Sequence, residues 1–140
     1  MNNRFLIATI VITVFALAWN GLVHPVILEK ANSTLVFIAR PDSLRPMGLV
    51  LLASAAVAVL FVSGYRKIAR EGTVTEGLAY GAVFGILAGV LVDLNQYIIY
   101  PIPAGLALSR FVFGFVEFSI YGVLVSLIYP VKAAVAESED

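Results

Sequence analysis

Apolar residues in this chain come in long runs instead of alternating with polar ones, and each run is of a length that suits a bilayer. About 20 consecutive apolar residues are needed to cross the hydrocarbon layer as a helix. Four stretches meet that requirement: 5–28, 47–64, 77–100 and 106–129. The capping pattern of Thr73 followed by Glu76 moves the start of the third helix back to residue 74. The expectation is an all-α integral membrane bundle of four antiparallel transmembrane helices, forming a single domain over residues 1–140.

The connections follow from the same pattern. Pro25 kinks or ends the first helix, because it lacks an amide donor and crowds the preceding turn. Residues 29–46 form the longest link, an extracytoplasmic connection whose middle, STLVFIAR, is too short to span and reads as a short interfacial piece. Pro46 suits the first turn of the second helix. A basic cluster of Arg66, Lys67 and Arg70 follows that helix. The third helix stops at YPIPAG, and 130–140 reads as a polar tail. The start MNNRFLIATIVITVFALAWNG imitates a cleaved leader. Apolar character continues through GLVHPVIL, however, so an uncleaved first helix is the reading.

Composition sharpens this picture. The chain is 61% apolar and 13% charged, outside the range of soluble domains. Nine basic and nine acidic side chains balance, without a basic tract, which argues against nucleic acid as a partner. The partners this leaves are the lipid bilayer, further copies of the chain or other membrane subunits. Cysteine is absent, removing thiol chemistry, and one histidine cannot supply paired axial ligands to a haem. Phosphate-cradling, nucleophile-elbow and HExxH motifs are also missing, so no cofactor, metal or catalytic residue is indicated. Lys and Arg near the span ends bias orientation. Arg4, Arg66, Lys67, Arg70 and Lys132 would share one side, against Lys30, Arg40, Arg45 and Arg110 on the other. The expectation is a cytoplasmic location for both termini.

Two features stand out within the spans. Gly77, Gly81, Gly85 and Gly89 recur every fourth residue and form a smooth helix-packing ridge. Its partner is either another helix of the same chain or a second copy. Polar residues are the other feature, since a charge at the bilayer centre costs at least ~2.5–3.5 kcal/mol and must face the interior. Asn20, His24, Asp93, Arg110, Glu117, Tyr97 and Tyr121 make up a candidate intramembrane polar cluster. If the turn between the last two helices centres near Ile102 and Pro103, residues face each other when their numbers sum to about 205. Arg110 then lies within a turn of Asp93, and Glu117 faces Ala88 and Gly89. This predicts an Asp93–Arg110 ion pair fixing the hairpin, with Glu117 seated in glycine-made space. Glu117 is then either a protonated structural group or a proton- or cation-handling carboxylate. Trp19, Tyr65, Tyr97, Tyr100 and Tyr129 read as interfacial aromatics.

His24 closing the first helix, RP before Met47, GLAYGAVFG, YPIP, FGFVE and the late IYP together resemble small uncharacterised four-helix inner-membrane proteins of bacteria. That resemblance implies a compact inner-membrane bundle and carries over neither an activity nor a functional residue. Three function classes follow. The leading one is a non-enzymatic self-associating bundle or accessory subunit. The others are a small transporter or channel using Glu117 and Asp93, and a membrane-embedded enzyme.

Overall fold

The computed structural model describes residues 3–35 and 44–128. It is all-helical, with no strand among those residues. Four of its helical stretches, Asn3–Ile27, Met47–Ile68, Val74–Ile99 and Ala104–Ile128, are long and apolar enough to cross a membrane, suggesting a multi-pass membrane protein. Residues 36–40 of the proposed interfacial piece, all but its first three, lie outside the described residues, as does the polar tail.

Two of the four stretches are interrupted in ways the apolar pattern did not announce. Helix α1 (Asn3–Leu22) widens into a π-helical turn at Val23–Ile27. Pro25 sits inside that turn, where widening accommodates its missing donor and bulky ring. The turn closes with Leu28 N–H donating to the Val23 carbonyl at 2.8 Å. A short helix, α2 (Glu29–Asn32), and a 3-10 turn at Ser33–Leu35 follow. Helix α3 (Met47–Ile68) starts directly after Pro46. It extends about a turn beyond the predicted 64, so Arg66 and Lys67 belong to its last turn.

The next loop is built around one carboxylate. Thr73 Oγ1 accepts the Glu76 N–H at 3.2 Å, which is the forward half of the expected capping box. Glu76 does not return the bond to Thr73. Its carboxylate instead accepts the backbone N–H groups of Arg70 (2.6 Å), Glu71 (3.0 Å) and Gly72 (2.8 Å). Gly72 has φ 65°, a conformation glycine adopts without strain. Helix α4 (Val74–Ala88) then leads into a second π-helical segment, Gly89–Leu94, and on to α5 (Asn95–Ile99). The Gly89 N–H is shared between the Gly85 and Ile86 carbonyls, marking where the winding changes. The Pro103 carbonyl accepts from Leu106 and Ala107, opening helix α6 (Ala104–Ile128).

Helix α6 is the hub, with α4 against it most closely and α1 packed on both α6 and α3. The glycine ridge provides the close approach. A methyl group at Gly77 would fall 2.7 Å from Ser126 Cβ, at Gly81 2.9 Å from the Phe118 carbonyl carbon, and at Gly85 2.8 Å from Phe115 Cα. At Gly89 it would strike the Phe111 ring. Gly122 reciprocates, its Cβ position lying 2.7 Å from the Gly77 carbonyl carbon. The ridge is therefore occupied by α6 of the same chain.

These pairs sum to about 200 instead of 205, and the shift has a physical cause. The turn is centred between Ile99 and Ala104, whose numbers sum to 203 instead of 205, and the π-helical segment spends one further residue for little axial rise, so each level on α4 is reached by an earlier residue. Phe111, Phe115, Phe118 and Gly122 face the ridge, and Glu117 lies about 100° around α6 from Phe118. The expected seat of Glu117 beside Ala88 and Gly89 is thus corrected. It faces α1.

One aromatic core ties the helices together. Phe61 of α3, 1% exposed, meets Tyr80 (4.8 Å), Phe84 (5.3 Å), Phe118 (6.0 Å) and Tyr121 (5.8 Å), measured between ring centroids. Tyr80 also donates its hydroxyl to the Phe61 carbonyl at 2.9 Å. Tyr65, expected at the interface, is fully enclosed in this core. Trp19, expected likewise, is half-buried and stacked on Phe15 at 5.7 Å.

Candidate functional site

The structure separates the expected polar cluster into two groups and leaves part of it outside both. The deeper group joins α1 to α6. Glu117 is 9% exposed, and its Oε1 accepts from Asn20 Nδ2 at 2.8 Å and from the Tyr121 hydroxyl one turn along α6. Asn20 Nδ2 also donates to the Ala16 carbonyl at 2.9 Å, the bond its position one turn on allows. With acceptors on both sides, the Asn20 amide orientation is fixed, NH2 toward the carboxyl. Aromatic rings wall the group. Tyr121 meets Phe15 edge-on at 6.0 Å and Phe118 at 5.1 Å, while Trp19 tilts onto Phe113 at 6.4 Å. Burial in such surroundings penalises a bare charge, and hydrogen bonds offset the penalty only in part.

The second group closes one end of the bundle. Arg110 Nη2 donates to Asn32 Oδ1 at 2.8 Å, and Nη1 lies 3.4 Å from Gln96 Oε1. Asn32 Nδ2 in turn donates to the His24 carbonyl at 2.9 Å. One guanidinium thereby connects α6 to α5 and to the segment after α1. Neither Asn32 nor Gln96 was marked by the sequence. Both are polar residues near helix ends, where nothing in a linear pattern separates a working side chain from a solvated one.

The expected Asp93–Arg110 ion pair does not form. Asp93 lies within the π-helical segment, half-buried, where Arg110 still exerts an electrostatic influence on it. The Arg110 donors are directed at two neutral amide oxygens instead. Extra winding in the π-helical segment turns Asp93 off the line that regular α geometry would give it. Tyr97 is 43% exposed and lines a shallow apolar groove of about 240 Å³ with Leu94, Ala104, Ala107, Leu108 and Phe111. The His24 side chain, at the second position of the π turn Val23–Ile27, is exposed. Among the described residues, no three His, Asp or Glu side chains converge to hold a metal ion.

Mutation separates this arrangement from the expected pair. Arg110→Gln should lower thermal stability by about 1–3 kcal/mol, the usual cost of losing hydrogen bonds to a charged group. Asp93→Asn should change it by less than about 0.5 kcal/mol, as for substitutions away from a network. Thermal unfolding of both variants and the double mutant in mild detergent checks this. Recovery of stability in the double mutant would restore the ion pair.

No protein-family model matches this chain, and no curated protein or solved structure matches it either.

Proposed function

We propose that the chain is an antiparallel four-span bundle of a bacterial-type inner membrane, both termini cytoplasmic, acting as a non-enzymatic component of a larger membrane assembly. The observation that carries this reading is where apolar surface remains. Small residues are spent inside, Gly77 to Gly89 against α6, while Leu52, Leu60, Val83 and Ile98 are 64%, 69%, 63% and 73% exposed. Those outward faces are available to lipid, to a second copy or to other subunits. Because α6 occupies the ridge, self-association would use the outer face of α3 or α5. Native mass spectrometry from mild detergent tests this reading, with dimers or co-purifying subunits expected. A bare monomer would overturn it. Reporter fusions in segment 36–43 and after residue 128 test the topology, and both reporters on one side would overturn the four-span arrangement.

A second reading, proton or cation handling, is favoured by one observation: Glu117 is buried between helices with neutral hydrogen-bond donors around it and, among the described residues, no cation. Asp93, half-buried and apart from that group, drops out of this reading.

A further inference from the structure

We infer that Glu117 is a proton-binding site whose carboxyl is neutral at ordinary pH, the proton residing on Oε2. The inference rests on the second reading above and names its ligand.

Both hydrogen bonds to the carboxyl, from Asn20 Nδ2 and from the Tyr121 hydroxyl, converge on Oε1. An ionised carboxylate has two equivalent oxygens and, when buried, draws donors to both. A neutral carboxyl has one carbonyl-type acceptor and one O–H. Two donors on Oε1 and none on Oε2 match the neutral form. The surroundings also argue against a metal cation as the ligand. A metal cation needs oxygen lone pairs, yet Asn20 presents its NH2 to the site, pinned by the Ala16 carbonyl. The Tyr121 hydroxyl likewise presents hydrogen. A site built from donors suits an acceptor oxygen and repels a cation.

The titratable groups around Glu117 are few. Tyr121 on its own helix is in contact, while Tyr65 of α3 and Tyr80 of α4 belong to the same aromatic core. Helix α1 contributes Asn20 alone at this level, and Arg110 lies about two turns along α6, bonded elsewhere. Among the described residues, no cation is in place to hold Glu117 ionised.

Infrared spectroscopy of the full chain in lipid vesicles at neutral pH tests this. The expected result is a carbonyl stretch of a protonated carboxylic acid that shifts in heavy water, disappears in Glu117→Gln and persists in Asp93→Asn. Dicyclohexylcarbodiimide gives an independent readout. The carboxyl O–H adds across one C=N bond: oxygen joins the central carbon and the proton goes to nitrogen. Acyl migration then leaves a stable N-acylurea with no group released. Labelling should map to Glu117 in the wild-type chain, which needs no folded variant. Absence of both the band and the label at neutral pH overturns the inference. Were sodium or magnesium ions then to bind in a Glu117-dependent way, cation handling would survive without a bound proton. Conversely, band and label without proton flux across vesicles uphold the proton site and discard transport.

Discussion

Adding a single methyl group at Gly81 should destabilise this bundle as much as a core truncation does, and Gly122→Ala should behave alike. Alanine normally favours a helix over glycine by nearly 1 kcal/mol. At these two positions the gain is overwhelmed. The Gly81 Cβ would lie 2.9 Å from the Phe118 carbonyl carbon and 3.0 Å from Ser119 Cα, and the Gly122 Cβ 3.0 Å from Gly81 N. These obstacles are backbone atoms and cannot turn aside as a flexible side chain can. Ordinary overpacking costs about 1–3 kcal/mol, and a backbone clash across the closest helix pair should reach or exceed the top of that range. Leucine at Gly81 should separate α4 from α6 altogether. Gly114→Ala is the internal control, because nothing lies within 4 Å of its Cβ position. It should be neutral or mildly stabilising. Helicity and mobility measured during unfolding in mild detergent give the readout. Equal stability of Gly81→Ala and Gly114→Ala would mean that the ridge does not pack as described.

The second large effect is expected at Phe61, which the apolar pattern did not single out among its neighbours. Its ring is 1% exposed and links α3 to both α4 and α6 through four aromatic contacts. Removing a buried phenylalanine costs about 3–5 kcal/mol, through lost contacts and the cavity left behind. For apolar helices in detergent or lipid the contact term should dominate, because transfer from protein interior to hydrocarbon gains little. Phe61→Ala should therefore loosen α3 while the α4–α6 pair stays intact. Leu60→Ala, one residue away and 69% exposed, should barely register. Cysteine cross-linking of α3 to α4, together with unfolding curves, would show this. Similar losses at both positions would remove Phe61 from the centre of the core.

The number of helices, their approximate limits and the ridge were determined by local properties of the sequence. Apolar length, proline at the breaks and the Thr73–Glu76 cap are read residue by residue, as is glycine at every fourth position. The facing of the helices was not. Outward side chains such as Leu52 and Leu60 are as apolar as the enclosed Ile12 and Val62. Helices apolar on every side carry almost no periodic signal for which face turns inward. Small residues alone revealed one face of α4. The sequence marked Glu117 as an interior group but placed it in the glycine-made space, because regular α geometry was carried through Gly89–Leu94. The π-helical turn there helped shift the register of α4 on α6, and His24, within the one at Val23–Ile27, is exposed. Only the packed helices bring Asn20 to Glu117, and Asn32 and Gln96 to Arg110. A buried polar group takes whichever partner the backbone delivers within hydrogen-bond reach, and two residues of extra winding decide which partner that is.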